Sequence, residues 1–174
     1  DGRSLAVTLM GSAGIGKSRL ARAVTSRLAG EFRVVRTGAN RHGASGPYEV
    51  PGTIIRALVG LAPDSSDDEI RASLSAYLDE RESQADSSDE MVLSIDALLA
   101  SAADDGGTES QMAPLLAMLG VVDDERGPEP ESTPVAFREF VVSAAQRQPL
   151  AVVLEDVQSM SDEALNLLVE LLGE

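Results

Sequence analysis

A single lysine stands in a glycine-rich segment of this sequence that could bind phosphate. Lys17 is the only lysine among 174 residues, and the other thirteen basic residues are arginine. It lies in residues 11–18, GSAGIGKS, which match the phosphate-binding pattern G-x-x-x-x-G-K-[ST] at every fixed position. A compact ammonium on a flexible stem can enter a loop of backbone N–H groups and contact two phosphates, where a planar guanidinium would need more room. The segment therefore predicts a nucleotide phosphate site.

The segment also predicts what its residues do. Its glycines let successive N–H groups form an anion-binding nest at the positive end of a helix dipole. Lys17 is predicted to bridge the β- and γ-phosphates of the nucleotide, and Ser18 to offer its hydroxyl to Mg²⁺. The alternative is a glycine-rich turn with an incidental lysine. The predicted nucleotide-binding residues are Gly11, Ser12, Ala13, Gly14, Ile15, Gly16, Lys17, Ser18 and Arg19.

Two carboxylates follow the apolar run 150–154, LAVVL. This run predicts a fully buried strand whose C-terminal end lies where an open α/β sheet places its ligand crevice. Glu155 and Asp156 are therefore the candidate catalytic pair, one holding Mg²⁺ through water and the other polarising the attacking water. The sequence leaves that assignment open, although by position Glu155 takes the metal role, with Ser18, and Asp156 the base role. The alternative is a strand end followed by solvated acids.

The segments around the two motifs predict strands and helices in alternation. Residues 4–10, before the glycine-rich segment, form an apolar run that predicts a buried strand. Residues 18–28 predict a helix with one apolar face, and residues 32–37 a second strand near the sheet edge. The predicted fold class is α/β, a P-loop NTPase with three α/β/α layers and a parallel sheet.

Three arginines accompany the second predicted strand. Arg33 and Arg36 lie on it, and Arg41 lies in the loop that follows. Either one of them lies near the nucleotide, or all three belong to a solvated sheet edge. The sequence favours the solvated edge.

The region between the two motifs is mainly helical by its apolar spacing. It predicts a helical insertion at about 53–133 that ends in an acidic, proline-bearing loop at 123–133. A further helix, started by Pro134, leads into the second motif strand. The predicted helices cover 53–61, 66–78, 91–103, 112–119 and 134–145.

The composition narrows the class of protein. A net charge of −15 argues against direct nucleic-acid binding through this segment, because a phosphate backbone would be repelled. The absence of cysteine excludes disulfides and thiolate zinc sites. No apolar run approaches the roughly eighteen residues that a membrane span requires, so we expect a cytoplasmic protein without membrane contact.

Together these residues resemble a known family, the ATPase module of bacterial STAND-type signalling proteins. Such AAA-like P-loop domains occur in regulators with class III nucleotide cyclase, Ser/Thr kinase or helix-turn-helix domains. The resemblance rests on residues 11–20, on Pro47 and Tyr48 ahead of 53–61, and on 154–168. It implies ATP or ADP and Mg²⁺ as ligands and other domains of the same polypeptide as partners, and it leaves a homo-oligomer open.

The sequence departs from that family at one place. After the acidic pair the family usually continues His-Trp-Ala-Asp, whereas this chain has Gln158, Ser159, Met160 and Ser161. The resemblance therefore does not extend to an imidazole or aromatic group beside the γ-phosphate. Ser161 can still cap a helix that starts at Asp162.

The order of the motifs also predicts how much of a domain is present. In the P-loop division that inserts a strand between the two motif strands, that strand follows the acidic pair and carries a sensor residue. Only one helix follows the pair here. We therefore expect residues 1–174 to be the N-terminal part of one P-loop ATPase domain, truncated after the Walker B strand and its helix.

Three functions fit these motifs. The first is a nucleotide-driven regulatory switch that hydrolyses ATP slowly, within a bacterial multidomain signalling or transcription-regulating protein. The second is a nucleotide-binding scaffold with little hydrolysis. The third, a small-molecule kinase, is disfavoured because a strand-terminal Glu-Asp pair suits water activation better than transfer to a bound acceptor.

Overall fold

The computed structural model describes residues 4–39, 46–85, 107–121 and 132–172. The predicted helix over 91–103, most of the loop 123–133 and Arg41 lie outside these residues. Short 3-10 helices cover Val157–Ser159 and Glu170–Leu172. The regular elements are α1 (Lys17–Leu28), β1 (Arg33–Gly38), α2 (Glu49–Val59), α3 (Asp67–Ala85), α4 (Gly107–Met118), α5 (Ser132–Arg147), β2 (Leu150–Glu155) and α6 (Asp162–Val169).

The two strands form a parallel sheet although they are far apart in the chain. They run in register from Arg33 opposite Leu150 to Gly38 opposite Glu155. Helix α1 packs against both strands, and α2 packs against β1. Because parallel strands end at the same edge of a sheet, Glu155 lies at the C-terminal edge, as the α/β prediction required.

The prediction that residues 4–10 form a buried strand is wrong. The segment has no regular secondary structure, and Leu5, Val7, Leu9 and Met10 are between 43% and 89% exposed. A strand persists only where its N–H and C=O groups find a neighbour, and β1 and β2 pair with each other instead. An apolar run indicates a preference for burial, but it does not determine whether a neighbouring strand is available to pair with it.

The predicted full burial of the second motif strand is also wrong. All six residues of β2 are half-buried. In the part of the chain that the structure describes, β2 has one strand neighbour, so its other edge is not covered by a strand. Helix α1 similarly leaves Leu20 and Val24, both on its predicted apolar face, about half exposed.

The main hydrophobic core lies among the helices rather than beside the glycine-rich segment. It is built where α2, α3, α4, α5 and α6 meet, and β1 contributes Val35. Burial of such large apolar side chains is the dominant stabilising contribution in a fold of this size. Its largest fully buried members include Ile54, Ile55, Leu58, Leu74, Leu115, Phe137 and Phe140.

The local signals at helix ends are confirmed. The Ser161 hydroxyl accepts a hydrogen bond of 3.2 Å from the Ala164 amide and caps α6, as predicted. At the start of α3 the Glu69 carboxylate accepts from the Ser66 amide at 2.8 Å, and this hydrogen bond lowers the pKa of Glu69. None of the helices in the described residues combines the length and the hydropathy of a membrane span.

Candidate functional site

The glycine-rich segment forms a loop that leads directly into α1. Gly14 and Gly16 adopt left-handed backbone conformations, with φ of 79° and 101°, which residues with a Cβ rarely adopt. Gly16 is the N-cap of α1, and its carbonyl accepts from the Leu20 amide at 2.9 Å. The loop residues from Gly11 to Gly16 are exposed. The first free N–H groups of α1 therefore lie at an open, positively polarised end of the helix.

The Lys17 side chain reaches back across this loop. Its ammonium donates to the backbone carbonyl oxygens of Gly11, at 2.8 Å, and Ser12, at 2.9 Å. The cation is thereby held against the backbone of the loop, and Lys17 is half-buried although its neighbours in the loop are exposed. Ser18 and Arg19 follow in the first turn of α1 and are exposed. The sequence pattern predicts all these residues in one site, and the structure places them in one loop and the first turn of α1.

The helix that follows the loop is positively charged in an acidic chain. Residues Lys17–Leu28 include four basic residues and no acidic one, while the whole chain carries a net charge of −15. Local positive charge at a helix N-terminus concentrates anions even where the net charge is negative. The electrostatics of α1 therefore favour an anionic ligand at the loop.

The first carboxylate of the acidic pair is engaged by an arginine of the neighbouring strand. Arg36 on β1 donates from Nη2 to Oε1 of Glu155 at the end of β2. The sequence leaves open an arginine near the nucleotide but does not single out Arg36, because that requires the register of two strands 112 residues apart. The exposed fractions of the two side chains are 31% and 36%. This ion pair is the principal feature of the site that the sequence did not predict.

The second carboxylate stands on a strained turn. Asp156 has φ of 54° and ψ of 40°, and among described residues it is the only one other than glycine with positive φ. Aspartate tolerates this conformation better than most residues, at a cost of about 1–2 kcal/mol. The Gln158 amide donates to Oδ1 of Asp156 at 3.0 Å. Gln158 is one of the residues that differ from the STAND pattern, and here it contacts the second acid.

Close backbone packing aligns Glu155 with β1. Gly38 lies opposite Glu155, and a Cβ on Gly38 would lie 2.5 Å from the Glu155 carbonyl oxygen. Two non-bonded atoms do not approach this closely, so the two backbones pack against each other only because residue 38 is glycine.

We expect Gly38→Ala to lower the free energy of unfolding by about 1–3 kcal/mol, because the backbone of β2 must move. Chemical denaturation checks this. The matched control is Gly30→Ala, where a Cβ would meet no atom within 4 Å, and equal losses in both variants would contradict the prediction.

The chemistry of these groups suits a nucleotide and its metal ion. Exposed backbone N–H groups and a lysine ammonium bind phosphate oxygens, and hydroxyl and carboxylate oxygens are the ligands that Mg²⁺ prefers. The Ser18 hydroxyl and the Glu155 carboxylate are the residues that would hold Mg²⁺. The two motifs are connected through α1, which packs on both strands.

The comparison with protein families agrees with this geometry. A family model described as AAA ATPase domain matches residues 1–174, so the chain belongs to the AAA ATPase domain family. It is therefore a P-loop ATPase module with an α/β fold. Domains of this family generally bind ATP or ADP with Mg²⁺. No curated protein and no solved structure matches the chain.

Proposed function

We propose that this chain is the ATP-binding, slowly ATP-hydrolysing switch module of a bacterial multidomain signalling or transcription-regulating protein. In this role ATP and ADP favour different arrangements of the neighbouring domains, and hydrolysis resets the state. The observation that carries the proposal is the exposed loop at the N-terminus of α1 with the Lys17 ammonium held across it. The resemblance to STAND-type regulators supplies the regulatory context.

Different residues of the site would bind the phosphates and the metal ion. The amides of residues 11–16 and the Lys17 ammonium would bind the phosphates, with Lys17 exchanging its two carbonyl partners for phosphate oxygens. When bound, Mg²⁺ would neutralise phosphate charge. The Ser18 hydroxyl and Glu155 would orient it, and Arg19 follows Ser18 in the first turn of α1.

Asp156 is the residue that we propose orients and polarises the attacking water. Its left-handed backbone conformation turns the chain directly after β2, at the edge of the sheet where the strand ends. Strained residues of this kind often occur at sites where a side chain must be aimed. Gln158 supports the carboxylate through its amide donor.

A second candidate function, a nucleotide-binding scaffold with little hydrolysis, is favoured by one observation. Both carboxylates of the acidic pair already have protein donors, Arg36 for Glu155 and Gln158 for Asp156. Such donors reduce the availability of the carboxylates for metal and water. Single-turnover hydrolysis of ATP separates the two functions, because a scaffold would bind ATP and release it unchanged.

Isothermal titration calorimetry on the whole chain tests the proposed ligand. We expect ATP and ADP to bind more tightly with Mg²⁺ than with a chelator, because the metal ion offsets repulsion between phosphates and the acidic pair. Adenosine is the control ligand, and it should give no measurable heat, because the loop contacts phosphates. A folded chain that binds adenosine as well as ATP, or binds neither nucleotide, would refute the proposal.

A further inference from the structure

Arg36 joins three elements around the acidic pair. Its Nη2 donates to Glu155 on β2, and its Nη1 lies 3.4 Å from the Thr25 hydroxyl on α1. Thr25 is 8% exposed, and its hydroxyl also donates to the carbonyl oxygens of Ala21 and Arg22. The guanidinium is therefore anchored at the third turn of α1 while it contacts the carboxylate. A planar fork can make both contacts at once.

This anchor lies away from the end of α1 at which Mg²⁺ is expected. Ser18, the proposed metal hydroxyl, and Thr25 are seven residues apart on α1, which corresponds to about 10 Å along the helix axis. The contact with Arg36 thus directs Glu155 toward the middle of the helix. A metal ion at Ser18 would draw the same carboxylate toward the N-terminus. The Glu155 carboxylate that moves toward Mg²⁺ at Ser18 therefore moves away from the Arg36 guanidinium.

We propose that Arg36 is a positioning residue that holds Glu155 in a resting arrangement and competes with Mg²⁺ for this carboxylate. The inference depends on the proposed function, since it assigns the regulation of that same site. Binding of Mg·ATP then requires the Arg36–Glu155 pair to loosen, while Thr25 keeps the guanidinium beside α1. Movement of Glu155 would thereby couple metal binding at the loop to the pairing of β1 with β2.

The test measures how strongly Mg²⁺ improves ATP binding. Calorimetry gives the ratio of the ATP Kd in chelator to the ATP Kd in saturating Mg²⁺. We expect Arg36→Gln to raise this ratio about two- to fivefold, the range set by ion pairs of this exposure. Arg27→Gln, an equal charge change at an exposed site in the last turn of α1, should leave the ratio unchanged.

A double-mutant cycle separates competition from a general loss of positive charge. In a Glu155→Gln background the Arg36→Gln change should leave the ratio unaltered, because the contested carboxylate is gone. A rise that persists in that background overturns the inference. Arg36→Lys is the milder variant, since it keeps the positive charge but has one nitrogen where the guanidinium uses two, Nη2 for Glu155 and Nη1 for Thr25, and it should raise the ratio by a smaller factor.

The remaining outcomes distinguish this inference from the proposed function. If the parental chain binds Mg·ATP and neither folded Arg36 variant changes the ratio, only the role of Arg36 is refuted. A ratio that falls in Arg36→Gln also refutes competition, since it means that Arg36 assists the metal. If the folded parental chain fails to bind ATP, both the proposed function and this inference are wrong.

Discussion

Replacing Lys17 with alanine is expected to abolish measurable binding of Mg·ATP while the fold persists. Two charge-assisted hydrogen bonds to phosphate oxygens are lost, each contributing about 1.5–3 kcal/mol, so ATP affinity should fall by at least about a hundredfold. Among the described residues, the hydrogen-bond partners of the ammonium are the carbonyl oxygens of Gly11 and Ser12 in the exposed loop. Unfolding free energy should therefore change by less than about 1 kcal/mol. Calorimetry and chemical denaturation measure the two effects.

The matched control is Arg27→Ala, which removes one positive charge from the exposed last turn of the same helix. It should weaken ATP binding only slightly, since the charge is distant from the loop and screened by salt. Unchanged ATP affinity in a folded Lys17→Ala variant would remove the phosphate-binding assignment. Equal losses in the two variants would indicate a general electrostatic attraction instead of a specific lysine contact.

The acidic pair is expected to affect hydrolysis much more than binding. Asp156→Asn should lower the single-turnover rate of ATP hydrolysis by about 100-fold or more, the range for loss of a general base, with little change in ATP affinity. The amide suits this test because asparagine also tolerates the left-handed conformation of Asp156, and its oxygen can still accept from Gln158. Rapid quench measures the rate.

Glu155→Gln provides the companion measurement. The amide oxygen can still accept from Arg36, but the charge that would hold Mg²⁺ is lost, so the Mg²⁺ dependence of ATP binding should weaken. If both amide variants hydrolysed ATP at the parental rate, the pair would be a solvated strand end without a catalytic role. A parental chain that binds ATP and does not hydrolyse it would favour the scaffold function.

Features governed by neighbours in the sequence were determined by the sequence itself. The helix after the glycine-rich loop starts at Lys17, one residue before its predicted start, and Ser161 caps the helix predicted to begin at Asp162. Helix caps, glycine turns and apolar periodicity act over a few residues, which is why local patterns predict them well. The strand before the acidic pair was placed for the same reason, with Glu155 added at its end.

Features that require distant partners were decided only by the tertiary structure. The apolar run 4–10 had the composition of a strand, yet it is exposed because no described strand pairs with it. The contact between Arg36 and Glu155 depends on a register that places Gly38 opposite Glu155. Strand registers and long-range partners are determined by the packing of the whole chain, so local sequence patterns do not predict them. The sequence alone thus determined the glycine-rich loop and the helix that follows it, and the fold decided which cation contacts Glu155 of the acidic pair.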